Sequence, residues 1–354
     1  MIDDLVAFRG RRVLVTGHTG FKGSWLTLWL NMLGADVFGF ALSPPSNGHF
    51  RLLGIERRIH HFEADIRDRA ALMKVFRQAD PEVVFHLAAQ PLVRKSYEDP
   101  VLTVETNVIG SLNVLEAVRA MPHVKSLVLI TSDKCYMNKE WIWGYREVDE
   151  LGGHDPYSAS KAAAEIVFAS YWNSFFDGPQ KAGVATARAG NVLGGGDWAE
   201  DRIVPDCIRA LRDGRKVIIR SPNATRPWQH VLEPLSGYLI LASRLLSSPR
   251  TFSGSWNFGP QPEAIRSVRK VAEGIIARWG GGELSVEEQH GDVHESQILH
   301  LSIDKAIHAL GWRPRWGFER GLDMTTEWYK SVLSGADAHL VSSSQIRAYM
   351  EQEA

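Results

Sequence analysis

The chain has 354 residues, 44% hydrophobic and 23% charged, with 40 Lys and Arg against 41 Asp and Glu for a formal net charge of −1. Those proportions exclude a disordered chain and a broadly basic nucleic-acid or membrane surface, and the length calls for one large domain with a smaller companion. Two cysteines, Cys135 and Cys207, exclude a disulfide framework or a Cys-rich zinc site and make a reduced, cytoplasmic setting the default.

The opening MIDDLVAFRGRR carries acids before bases and no apolar core, so it does not read as a signal peptide. The most apolar stretch, Trp25 to Leu33, contains Asn31 and stops at Gly34, too short to span a bilayer. Strand-length apolar runs at Arg12–Thr16, Asp36–Ala41, Ile59–Glu63, Val83–His86, Leu127–Thr131 and Val184–Arg188 alternate with helical patterns. Strands separated by helices make βαβ units with right-handed crossovers, which predicts a doubly wound, parallel, Rossmann-type α/β sheet. Ser43–Gly48 and Asp177–Gly183 read as surface loops. After about Gly190 the chain turns to Gly- and Arg-rich loops with shorter helices, Ile203–Asp213 and Asp304–Gly311. Pro234–Leu246 reads as a long buried helix that packs back on the sheet. The expected division is residues 1–189 plus about 230–258 for a Rossmann domain, about 190–229 and 259–335 for a smaller α/β substrate domain, and 336–354 as a tail, either a surface helix or frayed.

The first strand runs into Thr16-Gly17-His18-Thr19-Gly20-Phe21-Lys22-Gly23, followed by a helix. Such a turn needs Gly17 for a sharp bend, Gly20 for backbone approach to a pyrophosphate and Gly23 for close helix–sheet packing, with the helix N-terminus facing the phosphates. A dinucleotide is therefore expected there. A ribose-reading acid belongs about twenty residues further on, but the second strand ends Phe40-Ala41-Leu42-Ser43 and no Arg or Lys occupies 41–50. Without a partner for a 2′-phosphate, NAD is favoured over NADP. Asp65 and Ile66 after the third strand, Leu87, Ala88 and Ala89 after the fourth, and Thr106 in the next helix complete the expected cofactor set.

Tyr157-Ser158-Ala159-Ser160-Lys161 follows Pro156, a residue suited to opening a helix, and the i, i+4 spacing puts the phenol and the ammonium on one face. A phenol acting as base near neutral pH needs its pKa depressed by about 3 units, about 4 kcal/mol. A neighbouring Lys⁺ and an oxidised nicotinamide both favour the phenolate. Ser132, at the end of the fifth strand, supplies a hydroxyl for the same centre. A diphosphate calls for guanidinium groups, and the second half offers Arg202, Arg220 and Arg226. Arg94, His86 and Gln90 fall near the cleft by chain order, His86 with no catalytic part, while Trp141 and Trp143 suit either stacking or packing. No metal is invoked for the 13 histidines.

TGHTGFKG, the Tyr157/Lys161 pair and the hydroxyl after the fifth strand resemble the extended short-chain dehydrogenase/reductase superfamily of nucleotide-sugar enzymes, over essentially the whole chain. More narrowly, GHTGFKGSWL, TSDKCYMNKEW, DPYSASK, RAGNVLGGGDWAEDRIVPD and SPNATRPWQHVLEPLSGYL, spread between residues 17 and 239, resemble the CDP-glucose branch of its 4,6-dehydratases. Asp133-Lys134 bears on the choice. Epimerases of the superfamily tend to carry small or apolar residues there, whereas dehydration needs a base for the C5 proton and an acid for the C6 hydroxyl. Most of these dehydratases carry Asp-Glu, with the second member as base; Lys134 departs from that pattern, and the CDP-glucose branch shares the departure. The resemblance implies a hydro-lyase that recycles NAD, with Tyr157, Lys161 and Ser132 at C4, Lys134 as candidate base and Asp133 as candidate acid, and CDP-glucose as partner. It also implies Asn191 as a substrate contact. Another nucleotide-sugar 4,6-dehydratase or an NAD-dependent epimerase is the alternative. Helical stretches 103–119 and 162–176 are apolar on more than one face, which suggests a homodimer, with a tetramer left open.

Overall fold

The computed structural model describes residues 2–178, 181–287 and 298–352. Seven strands make one parallel sheet: β1 (Arg12–Thr16), β2 (Asp36–Ala41), β3 (His60–Glu63), β4 (Val83–His86), β5 (Ser126–Ile130), β6 (Gly183–Ala189) and β7 (Gly254–Phe258), in spatial order β7-β6-β5-β4-β1-β2-β3. The inner strands are buried on both faces, which is why they read as unbroken apolar runs rather than alternating ones. Strand order reverses between β1 and β4, and ligands of such sheets bind at the carboxyl ends beside that switch point. Six of the strands match the expected runs to within a residue; β7 is the addition.

Helices cover both faces. On one, α1 (Phe21–Met32) and α6 (Leu232–Ser247) bury Trp25, Trp29, Leu235 and Tyr238. On the other, α2 (Arg69–Ala79), α3 (Pro100–Ala120) and α4 (Pro156–Tyr171) bury Leu72, Phe76, Val114, Leu115 and Phe168. By length and composition alone α3 could cross a bilayer, but it packs between α2 and α4. The remaining long helices are α5 (Ile203–Arg212), α7 (Val268–Trp279), α8 (Phe318–Leu333) and α9 (Ala338–Glu351).

The expected tail is α9, and it is not frayed. Ile346 and Tyr349 are fully buried, and the helix packs on α1, α8 and the short helix His49–Leu53. Its inward face carries Ser342, Ser343 and Gln345 beside the apolar residues, so the hydrophobic stripe that would have marked it is diluted. Glu233 on α6 holds it in place, accepting a 2.8 Å hydrogen bond from the Tyr349 hydroxyl.

A buried ion pair fastens α4 to the sheet. Glu165, 1% exposed, accepts from Arg188 Nη2 at 2.7 Å and Nε at 2.9 Å, from Thr131 Oγ1 at 2.5 Å and from Thr186 Oγ1 at 2.8 Å. Both charges are therefore fully hydrogen-bonded, the condition under which a buried pair is tolerated. At its other end α4 starts on Asp155, whose carboxylate accepts from Ser158 N at 2.9 Å and Ser158 Oγ at 2.6 Å, with Pro156 at the first helical position. The helix is thus fixed at its start and again at Glu165, and the turns between carry Tyr157 and Lys161.

Candidate active site

The glycine loop has the shape its spacing predicts. Gly17 has φ +73, and a Cβ there would lie 2.5 Å from Ala88 N; a Cβ on Gly23 would lie 2.1 Å from Gly17 O. Only glycine fits either position. Gly20 caps α1 with no side-chain hydrogen bond, so no side chain caps the first-turn N–H groups that an anion would meet. Ala88 N donates to Thr16 Oγ1 at 3.3 Å and Leu87 N to Thr16 O at 3.0 Å, which brings the ends of β1 and β4 together at the switch point. The cradle fits a dinucleotide pyrophosphate.

The loop's side chains go elsewhere. His18 turns inward against Phe50 and Gly39, and burial lowers its pKa to about 3, so the ring is neutral. Thr19 Oγ1 donates to Leu42 O at 3.0 Å. Phe21 packs near Gly194. Lys22 reaches the other end of the cleft: burial lowers its ammonium to about 8, Asp133 opposes the shift, and Arg202 and Lys161 reinforce it. At the adenosine end, Arg67 grips the Asp65 carboxylate in a fork at 2.8–3.1 Å and also bonds Glu105 at 2.9 Å. Ile66 is buried and its carbonyl accepts from Asn113 Nδ2 at 3.1 Å. Ala89 and Thr106 are half-buried.

Beyond β5 the chain enters a single turn, Asp133–Cys135, capped by Ser132, whose Oγ accepts from Lys134 N at 3.2 Å and donates to Asp133 Oδ1 at 2.9 Å. Asp133 is 4% exposed. Burial raises its pKa, against the pull of Lys134, Ser132, Lys22 and Arg226. Its Oδ2 lies 2.7 Å from the place a Cβ on Gly190 would take, so the β6 exit loop that carries Asn191 walls the carboxylate in. Lys134 is half-buried beside it.

Tyr157 is buried, and burial pushes its phenol up to about 12; a hydrogen bond with Ser132 and the charge of Arg202 work the other way. The Lys161 ammonium lies 6.0 Å from the Tyr157 ring centre, and burial brings it down to about 8. Ser132, Asp133, Lys134, Tyr157, Lys161, Lys22, Arg202 and Arg226 therefore share one pocket at the carboxyl end of β5. Sequence reasoning assigned Lys22 to the cofactor and Arg202 to a diphosphate; the structure gives both a part in the field around Tyr157 and Asp133.

The other expected anion ligands are placed differently. Arg202 is held by Asp197 at 2.9 Å. Arg220 and Arg94 both face Asp201, at 2.6 and 3.9 Å. Arg226 is buried in the same pocket as Asp133. His86 bridges Thr16 Oγ1 at 2.7 Å and Ser111 Oγ at 3.1 Å as a neutral pin. Gln90 closes the loop after β4 through Thr103 and Leu92. Trp141 stacks on Tyr145, whereas Trp143 is 65% exposed. Among the described residues no cluster of His, Cys, Asp or Glu is arranged to hold a metal. His290 and His294, at H-x-x-x-H spacing, lie outside the described residues.

The GDP-mannose 4,6 dehydratase family profile matches residues 14–325. The CDP-glucose 4,6-dehydratase of Salmonella typhimurium is 46% identical over 348 residues, 97% of each chain. The chain belongs to the nucleotide-sugar 4,6-dehydratase family. Among solved structures, Thermus thermophilus UDP-glucose 4-epimerase in complex with NAD superposes with a TM-score of 0.75 at 27% identity, covering 90% of this chain and 99% of its own. The epimerase Mth375 of Methanothermobacter thermautotrophicus reaches 0.81 at 24% identity, covering 97% of each, a likeness of fold. This member of the dehydratase family therefore shares its scaffold with epimerases.

Proposed function

We propose that the protein dehydrates CDP-D-glucose to CDP-4-dehydro-6-deoxy-D-glucose and water, with NAD as a recycled cofactor. The observation that carries this reading is the meeting of Tyr157, Ser132, Asp133 and Lys134 at the end of β5, across the switch point from the glycine loop. Identity to the Salmonella CDP-glucose enzyme supports the nucleotide, as does Lys134 in place of the Glu that most of these dehydratases resemble one another in carrying.

The cradle of Gly17, Gly20 and Gly23 would hold NAD, with Asp65, Ile66, Leu87, Ala88, Ala89 and Thr106 along its length. When bound, it would accept hydride from sugar C4 and return it at C6, so the net reaction is a lyase step. Tyr157 takes the 4-hydroxyl proton and Ser132 steadies the phenolate. Since the protein's own groups leave the phenol near 12, the further drop comes from positive charge brought by the loaded cleft, with Arg202 already contributing. Once C4 is a ketone, C5 is acidified; Lys134 removes that proton and Asp133, kept protonated more readily by burial, delivers one to the departing C6 hydroxyl. Arg226, with Arg94 and Arg220 once they exchange Asp201 for the ligand, neutralises the diphosphate, and Asn191 contacts the sugar. The exposed apolar residues Val101, Val104, Ile109, Ile166 and Phe175 on α3 and the α4 segment support a homodimer through these helices. The two free buried thiols support a cytoplasmic setting.

The test offers CDP-glucose, dTDP-glucose and GDP-mannose separately with NAD⁺ or NADP⁺ and follows product mass. The expected result is loss of one water from CDP-glucose with NAD⁺. Loss from none of the three would refute the dehydratase reading, and preference for another nucleotide would refute the substrate.

A further inference from the structure

The adenosine end of the cleft lacks the carboxylate that dinucleotide folds usually place after their second strand, since β2 leaves through Leu42 and Ser43. A carboxylate stands on the neighbouring strand instead. β2 and β3 pair in parallel with Ala41 opposite Glu63, so Glu63 ends β3 level with the exit of β2. Its Oε1 lies 3.2 Å from His61 Nε2, and Ser43 on the β2 exit also hydrogen-bonds the carboxylate. His61 Nδ1 in turn lies 2.6 Å from Nε2 of His18, the residue after the first glycine of the loop. The contacts from His18 to His61 and from His61 to Glu63 link the carboxylate to the pyrophosphate cradle.

Glu63 is held in place but not used up. Its side chain is 45% exposed, and among the described residues its ion-pair partner is His61. Arg51, the nearby guanidinium, is bonded to Glu56 at 2.9 Å. The other carboxylate of this corner, Asp65, is matched by the Arg67 fork. A carboxylate accepts up to four hydrogen bonds, so Glu63 keeps acceptor capacity at the exit of β2.

We propose that Glu63 is the ribose-reading residue of this chain: it accepts from the adenosine 2′-hydroxyl of NAD and its charge excludes the 2′-phosphate of NADP. Cofactor choice is thereby made from β3, through Ser43, His61 and His18, where the usual site on β2 is empty of acid. The inference rests on the reading of the cleft as an NAD site.

Calorimetric binding of NAD⁺, NADP⁺ and NAD⁺ lacking the adenosine 2′-hydroxyl to the purified protein and to Glu63→Gln tests it. A hydrogen bond to a charged acceptor is worth about 10- to 100-fold in affinity. Glu63→Gln should weaken NAD⁺ by that factor and narrow the NAD⁺ to NADP⁺ ratio by at least about tenfold. The deoxy analogue should bind wild type as weakly as NAD⁺ binds the variant, and should lose nothing further in the variant. Glu63→Asp, which keeps the charge on a shorter arm, should still exclude NADP⁺. NAD⁺ affinity within about twofold of wild type in Glu63→Gln, or an equal penalty for the deoxy analogue in both proteins, would overturn the inference. CDP-glucose turnover measured alongside separates the two claims. Altered cofactor preference without dehydration would support Glu63 and refute the proposed activity; dehydration with unaltered preference would do the reverse.

Discussion

Replacing Asp133 by Asn removes the proposed proton donor and keeps the outline of the side chain. The site leaves little room for anything else, since Asp133 is 4% exposed and Oδ2 occupies the space that a Cβ on Gly190 would need. The amide oxygen can still accept from Ser132 Oγ in the place of Oδ1, so the cap over Lys134 N and the neighbourhood of Tyr157 survive. What is lost is acid catalysis at the C6 oxygen, typically 10²- to 10⁴-fold, or about 3–5 kcal/mol in the barrier. The loss falls on one step only. In single turnovers with CDP-glucose, the absorbance of reduced nicotinamide should rise at close to the wild-type rate and then persist, while formation of the dehydrated product slows by two to four orders of magnitude, about as general acid catalysis requires. Product formation within about threefold of wild type would remove Asp133 from the elimination. Slowing of both steps together would assign it to Tyr157 and the oxidation instead.

Tyr157→Phe should lower kcat by at least about 10²-fold through loss of the C4 base, with NAD⁺ and CDP-glucose affinities by calorimetry within a few-fold of wild type; retained turnover would exclude the phenol. Because burial brings the Lys161 ammonium to about 8, it loses its charge as pH rises through that value, and kcat/KM should fall on the alkaline side of about pH 8. Lys161→Arg, which cannot deprotonate, should move that limb upward even as kcat drops, and a profile flat to about pH 10 in wild type would contradict the assignment. Arg188→Met leaves Glu165 buried without its partner and should cost about 3–5 kcal/mol in denaturant unfolding; a loss below about 1 kcal/mol would mean that other donors suffice.

The sheet was legible where burial on both faces made strands into unbroken apolar runs, as in β1, β4, β5 and β6. β7 escaped because Ser255 and Asn257 alternate with its apolar residues, and both are polar for a reason: Ser255 joins the Glu165–Arg188 network and Asn257 accepts from the Tyr136 hydroxyl. α9 escaped for the related reason that serines and a glutamine face inward. The glycine loop and the Tyr157/Lys161 pair were readable because steric demand and helical spacing are local properties. Pairings across the fold were not. Chain order gives no hint that Lys22 projects from the glycine loop toward Asp133, that Asp201 lies between Arg94 and Arg220, or that a glutamate on β3 stands where β2 has none. Each depends on which strand ends lie side by side.

The most direct test of the account uses CDP-glucose carrying deuterium at C4, with unlabelled NAD⁺ and the purified protein. Oxidation at C4, elimination and return at C6 within one closed site predict a product lighter by one water with the deuterium at C6. Deuterium still at C4, or deuterated cofactor accumulating in step with product, would contradict it.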